Sequence, residues 1–484
     1  MYLGLDLGTS GVKAILVDDA QRVVGSATGP LTVSRPHSGW SEQDPADWIE
    51  ATQTALSQLR IEHEGALRAT KAIGLSGQMH GATLVDAQAK VIRPCMLWND
   101  TRSHEQAAAM DADPQFRAKT GNIVFPGFTA PKVAWVRDHE PDAFKQVDKV
   151  LLPKDYLRLW LTGEAVSDMS DSAGTSWLDV GKRAWDDALL AATGLSVDRM
   201  PTLVEGSAPG GYLRPQIASA LGLPAGIVVA GSAGDNAASA IGMGTVAAGN
   251  AFISLGTSGV LFAANAAYLP NPDSAVHTFC HALPDTWHQM GVILSATDAL
   301  NWYAKLVGAQ PSALTDALGD TLRAPTPVSF LPYLSGERTP HNDAAIRGVF
   351  SGFGHETDRE DMTQAVLQGV SFAFRDNLDA LRAAGTTLER VTAVGGGSRS
   401  RYWLSMLATV LDLPVDVPAD GDFGGAFGAA RLGMLAAGAG DAATICTPPA
   451  TQDTIEPDTS LTDAYSEAWE RFGALYPAIK RGQS

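Results

Sequence analysis

Two aspartates stand out as residues able to do chemistry. Between Ile227 and Leu269 the only charged residue is Asp235. It follows the apolar run Ile227-Val228-Val229-Ala230 and a glycine-rich bend, and it opens a helical pattern at Asn236. An acid there either caps the helix or serves as a general base that takes a proton from a hydroxyl. Burial raises the pKa of such a group and a helix N-terminus lowers it, so spacing alone does not set its value. Asp6 ends the first apolar run, Tyr2 to Leu7, just before Gly8-Thr9-Ser10-Gly11. It can cap that turn or orient a hydrated Mg2+ ion, which keeps several waters and takes one or two carboxylates beside phosphate oxygens.

The Gly-Thr-Ser-Gly turn occurs twice. Leu7-Gly8-Thr9-Ser10-Gly11-Val12 recurs letter for letter as Leu255-Gly256-Thr257-Ser258-Gly259-Val260, half a chain away. Both copies join two apolar strand-like runs. Successive backbone N–H groups in such a turn make a concavity for phosphate oxygens, with Gly8, Thr9, Ser10, Gly256 and Thr257 as contacts and Lys13 as a nearby point charge. The copies differ at the preceding position, Asp6 in the first and Ser254 in the second. A duplicated scaffold with one acid predicts a single asymmetric site between two similar halves.

Three further segments suit ligand binding. Gln78-Met79-His80 ends a short apolar run and is bracketed by Gly77 and Gly81. Trp98 leads Asn99-Asp100-Thr101-Arg102, which reads either as an apolar wall with polar neighbours or as a turn with an Asp–Arg pair. Gly395-Gly396-Gly397-Ser398 joins a strand to a helix near Trp403 to Leu411, where a flat ring could lie against backbone. The chain has no GxxxxGK[ST] loop.

The elements that must position these residues begin as a meander. Tyr2 to Leu7, Val12 to Val17 and Val23-Val24 read as strands. Asp44 and Pro45 open a helix whose apolar face is Trp48, Ala51, Ala55 and Leu59. Ala72 to Leu75 is a buried strand. This order is not the alternating pattern of a dinucleotide fold. The first half runs to Met243 and the second from Thr245 to Ala437. A terminal helix is expected near Ala464 to Leu475.

Composition excludes several classes. Charged residues make up 18% and hydrophobic residues 45% of the 484, which fits a folded chain with large cores. The net charge of -18, with no basic cluster, argues against nucleic acid as a partner. The Ile227–Leu269 stretch is broken by seven glycines, so no membrane span is expected. Cys95, Cys280 and Cys446 form no disulfide framework, and no secretory signal opens the chain, so a cytoplasmic setting is expected. A homodimer is the default assembly.

Together these motifs resemble the FGGY carbohydrate kinases, within the sugar kinase, chaperone ATPase and actin superfamily. The resemblance covers residues 1 to 440 and rests on both Gly-Thr-Ser turns, on Ala393 to Gly397, and above all on Ser76-Gly77-Gln78-Met79-His80-Gly81. Leu152-Pro153-Lys154-Asp155-Tyr156 and the run Tyr333 to Pro340 are also similar. It implies an α/β fold of two RNase H-like (actin-like ATPase) domains with an interdomain active-site cleft. Residues 1–244 would bind the sugar, 245–440 would bind ATP, and 441–484 would form a tail with the terminal helix. The implied reaction is ATP-dependent phosphorylation of D-xylulose at O5, with Mg2+. The alternatives are ribulose, fuculose, gluconate or glycerol as substrate, or an actin- or chaperone-type nucleotide-binding protein. By position, Asp235 would be the proton acceptor and Asp6 would act through Mg2+. Gln78, Met79, His80, Trp98 and Asn236 would meet the sugar. Gly8, Thr9, Ser10, Lys13, Gly256 and Thr257 would face phosphates, and Gly396 and Gly397 adenosine. Lys13 stands where glycerol kinases have Arg.

Overall fold

The computed structural model describes residues 1–419, 421 and 423–483. Strands β1 (Tyr2–Leu7), β2 (Gly11–Val17) and β3 (Val23–Pro30) form the expected meander, with β3 longer than its two valines suggested. Helix α1 (Pro45–Arg68) follows. Asp44 caps it by accepting the Ala46 N–H at 2.9 Å, and the predicted face of Trp48, Ala51, Ala55 and Leu59 is buried. Strand β4 (Ala72–Gly77), helix α2 (Pro153–Thr162), strands β5 (Pro209–Tyr212) and β6 (Val228–Ala230), and helix α3 (Asp235–Met243) complete this part. The main path of the first sheet is β5-β6-β4-β1-β2-β3, with β1, β4 and β6 parallel.

The second sheet repeats that plan. It uses β7 (Ala251–Leu255), β8 (Gly259–Asn265), β9 (His277–Cys280) and β10 (Trp287–Ile293). Helix α4 (Arg359–Ala383) leads to β11 (Val391–Val394), and α5 (Arg401–Leu411) to β12 (Val415–Pro418). Helix α6 (Gly425–Ala436), β13 (Thr451–Ile455) and the terminal α7 (Thr462–Gln483) follow. The strand order is β9-β10-β8-β7-β11-β12-β13. The hairpin β1–β2 corresponds to β7–β8, and β4 and β6 correspond to β11 and β12. Each sheet thus carries its Gly-Thr-Ser turn at the tip of its central hairpin.

Helix α6 crosses between the halves. It follows β12 in the chain but packs on β1 and β4 of the first sheet and on α3. The approach is close because side chains are missing at the contact. A Cβ on Gly4 would lie 1.9 Å from the Ala426 carbonyl, and one on Gly428 would lie 1.7 Å from that of Ala238. Arg431 of α6 donates to the carbonyls of Ile241 and Gly242 at the C-terminal end of α3. The first turn of α6 therefore reaches the end of β1, where a Cβ on Gly425 would sit 3.1 Å from Asp6. Among the described residues no helix is long and apolar enough to cross a membrane. The three cysteines are buried and free.

Candidate active site

The Asp235 segment is built by a sharp exit from β6. Ser232 takes φ +72, a left-handed conformation rarely occupied by a side-chain-bearing residue. Its hydroxyl accepts the Leu75 N–H at 2.8 Å and donates to Ala230 O, which ties the bend to β4. Ala233 and Gly234 then pair with Ser76 and Gly77 of β4. Gly234 is the N-cap of α3 and Asp235 its first residue, so the acid stands one position inside the cap. Burial raises its carboxyl to about 7, and the charge of Asp6 adds to the rise. The Asn236 N–H and Nδ2 donate to Oδ1 at 2.7 and 2.9 Å and oppose it. A carboxylate near pH 7 is suited to general-base work.

Asp6 lies on the neighbouring strand. It stands opposite Lys13 across β1–β2 and beside Ser76 of β4, whose hydroxyl donates to it at 2.7 Å. The positive end of α6 abuts its carboxylate. Among the described residues there is no group of three or more His, Cys, Asp or Glu side chains able to hold a metal. A single carboxylate fits Mg2+ that takes its other ligands from phosphate and water.

Thr9 of the first turn faces the Gln78 segment as well. Its hydroxyl accepts from Trp98 Nε1 and donates to Gln78 Oε1, both at 3.1 Å. Gln78 Nε2 donates to Gln43 Oε1, and Gln43 Nε2 donates to Thr9 O at 2.8 Å. Gln43 is thus the buried hub of this network, and no local pattern in the sequence marks it. Trp98 is 49% exposed, which leaves an indole face for a ligand. Its neighbours Asp100 and Arg102 form the alternative noted above, a buried pair with the guanidinium stacked 3.4 Å from the Trp40 ring.

Met79 packs on Gly234, the residue before Asp235. His80 takes φ +69, and its carbonyl is held by Lys132 Nζ at 2.9 Å and Thr129 Oγ1 at 3.1 Å. The ring stacks on Phe128 with centroids 4.5 Å apart. Burial, with the Lys132 charge behind it, lowers the imidazole to about 3, so it is neutral. Its Nδ1 lies 2.8 Å from Gly174 O. A carbonyl only accepts, so Nδ1 carries the proton and Nε2 is left as an acceptor.

A cavity of about 730 Å³ runs from α3, next to Asp235, to the second sheet. Asn236 and Ser239 of α3 line one end. Ser254, Gly395, Ser398 and Phe423 line the rest. Ser254, the counterpart of Asp6, therefore faces the same space as the neighbour of Asp235. The exposed second turn, Thr257 and Ser258, is anchored from behind. Thr257 O accepts the Ala296 N–H at 2.8 Å, and Gly256 O accepts Thr297 Oγ1 at 2.7 Å. Of the glycine run, Gly395 (φ +95) and Ser398 reach the cavity, Gly396 is exposed, and Gly397 is turned inward against Leu255 and Trp403. Arg399, two residues after the glycine run, also lines the cavity and was missed.

Residues 1–242 match the N-terminal domain of the FGGY family of carbohydrate kinases, and residues 251–437 match its C-terminal domain. The chain is an FGGY carbohydrate kinase. Membership of a kinase family implies ATP as a substrate. This FGGY kinase is 51% identical to a xylulose kinase of Escherichia coli strain K12 over 483 residues, 99% of each chain. Its fold is similar to a crystal structure described as a "xyloylose kinase" from Brucella ovis, with a TM-score of 0.98, 66% identity and 99% of both chains covered. A xylulose kinase structure from Rhodospirillum rubrum matches with a TM-score of 0.92 at 30% identity, again over 99% of both chains.

Proposed function

We propose that this FGGY kinase phosphorylates D-xylulose at O5, giving D-xylulose 5-phosphate and ADP. The observation that carries the reading is the continuity of one cavity from Gly395 and Ser254 to Asn236, beside Asp235. The identity with xylulose kinases supports the choice of sugar.

In this mechanism the ketose lies against Met79, His80 and Trp98. The neutral His80 accepts a sugar hydroxyl at Nε2, and the Trp98 face covers the apolar side of the carbon chain. Gln78 and Asn236 orient the remaining hydroxyls. Asp235, ionised near neutral pH, takes the O5 proton as O5 forms its bond to the γ-phosphorus and the bond from phosphorus to the β–γ bridging oxygen breaks. Gly8, Thr9, Ser10, Gly256 and Thr257 offer backbone N–H groups and hydroxyls to the phosphates, with Lys13 as a point charge. Gly395 and Gly396 leave room for the adenosine, over the buried Gly397. Asp6 would hold Mg2+, which when bound neutralises charge developing on the phosphate oxygens. A cytoplasmic homodimer is the expected setting of this activity.

A coupled ADP-release assay across a sugar panel tests the reading. D-xylulose should exceed D-ribulose, L-fuculose, gluconate and glycerol in kcat/KM by about tenfold or more. Equal or better turnover of any of these overturns the assignment of the sugar. ATP turnover without sugar should be slow, because water lacks the contacts that position O5.

A further inference from the structure

Five ionisable side chains without any solvent exposure lie directly behind the Asp235 bend. Lys154 Nζ of α2 sits 2.6 Å from Asp155, 2.7 Å from Asp168 and 3.0 Å from Asp171. Arg158, one helical turn along, is 3.7 Å from Asp155. Taking this many charges out of water is costly, and an apolar core of similar volume is often as stable or more so. The use of the cluster is therefore to be sought in what it holds.

It holds the chain that leads into Asp235, by two routes. On the first, the Arg158 guanidinium donates to the carbonyls of Ala230 and Gly231, consecutive residues where the chain leaves β6. Only a planar fork presents two donors to neighbouring acceptors in fixed geometry. The space for it exists because residue 210 is glycine, whose Cβ would fall 2.4 Å from the guanidinium. On the second route, Asp168 accepts from the N–H and hydroxyl of Ser170. The Ser170 hydroxyl oxygen in turn accepts the N–H of Gly234 at 3.2 Å, one residue before Asp235. Other bonds complete the clamp, with Gly231 N–H donating to Ala208 O and Ser232 N–H to Gly206 O at 2.7 Å. The same helix abuts the sugar segment, since a Cβ on Gly77 would lie 2.9 Å from Lys154 Cβ.

We propose that Arg158, held by the Lys154–Asp155–Asp168–Asp171 cluster and seconded by Ser170, is a positioning residue that sets residues 230–234 and hence the place of the Asp235 carboxylate. The proposal rests on the reading of Asp235 as the base. The charges support a rigid arrangement. Burial drives the Asp171 carboxyl well upward while its neighbouring acids hold Lys154 protonated.

The test compares Arg158→Lys, Arg158→Gln, Ser170→Ala and Asp235→Asn by ADP release between pH 5 and 9, alongside thermal unfolding. Each Arg158 variant should lose roughly thirtyfold or more in kcat, because small misplacement of a reacting group is expensive. KM for D-xylulose and for ATP should stay within about threefold, and the acidic limb of the kcat profile should move. Ser170→Ala should lower kcat about fivefold and move the same limb with little change in melting temperature. Folded Arg158 variants with kcat within about twofold of wild type and an unmoved limb overturn the proposal, as does a loss matched by the unfolded fraction. If the Arg158 variants do not fold, Ser170→Ala decides alone, an unchanged kcat and limb overturning the proposal. An active Asp235→Asn enzyme sinks the base assignment itself. An inactive one beside wild-type-like Arg158→Lys and Ser170→Ala sinks only the positioning role.

Discussion

Residues 7–12 and 255–260 are identical in sequence and sit at the same place in two matching sheets, yet they are held by different means. The first turn is tied by side chains as well as through its carbonyls, with Ser10 O accepting the Leu31 N–H and Leu7 O the Gln78 N–H, both at 2.9 Å. Thr9 bonds Trp98 and Gln78, Gln43 bonds the Thr9 carbonyl, and Asp6 takes the Ser76 hydroxyl. The second turn is tied mainly through its own carbonyls, to the residues that open the helix Thr297–Leu306. Ser254 replaces Asp6 and faces the cavity. The backbone plan was duplicated and the side chains around it were not. In the proposed mechanism that asymmetry gives transfer a direction, with the accepting hydroxyl on the side that has carboxylates and the donor nucleotide on the side that lacks one.

The most severe way to break the asymmetry is Asp235→Asn. Its kcat should fall by about 10³-fold with KM for the sugar within about threefold, measured by coupled ADP release. Next comes Asp6→Ser, which makes the first turn resemble the second. It should lower kcat about 10²-fold. It should also move the acidic limb. With Asp235 as the proposed base, the carboxyl must be ionised, so activity should fall as pH drops through about 7, the value to which burial and the Asp6 charge raise it. Without Asp6 part of that rise is lost, and the limb shifts to lower pH.

On the nucleotide side, Gly395→Ala should raise KM for ATP about tenfold and leave KM for the sugar alone. Residue 395 has φ +95, and a Cβ there would stand 2.7 Å from Leu255 O. Gly396→Ala, whose added carbon meets no protein atom within 4 Å, should raise KM for ATP less than Gly395→Ala does. On the sugar side, Trp98→Phe removes the bond to Thr9 and should raise KM for D-xylulose about threefold. The smallest effect is on stability. A carboxyl raised in the folded state disfavours folding once ionised, so stability falls as pH rises from the unfolded value of about 3.9 through about 7. Asp235→Asn removes that penalty. Its melting temperature should exceed wild type by a few degrees at pH 8, and the gap should close near pH 4.

Much of this was legible in local chemistry. A lone acid in an apolar stretch pointed to Asp235. Letter-for-letter recurrence pointed to the paired turns, and Asp44-Pro45 marked the start of α1. Other features had no local mark. Gln43 is one amide before a helix cap, and its bonds to Thr9 O, Thr32 O, Trp48 Nε1 and Gln78 Nε2 exist only when the first turn, α1 and the Gln78 segment converge. The glycine run promised a flat surface, but which glycine faces the cavity depends on the left-handed turn at Gly395 and on Leu255 beneath it. The terminal helix extends beyond the apolar spacing that predicted it, since α7 runs to Gln483 with Pro477 inside. Lys154 and Arg158 read as ordinary charges in a helix until their burial is known.

By itself the sequence determined the opening order of strands and helix, the duplicated turn and the two acids, because periodicity, turn residues and an isolated charge act over a few positions. Only the tertiary structure decided that α6, after β12, would return to the first sheet and bring its positive end to Asp6. It alone joined the cavity against the second sheet to Asn236 and buried a charged cluster behind Asp235. Those outcomes depend on contacts between residues hundreds of positions apart, and such contacts are set by the packing of whole surfaces and by the exclusion of water between them.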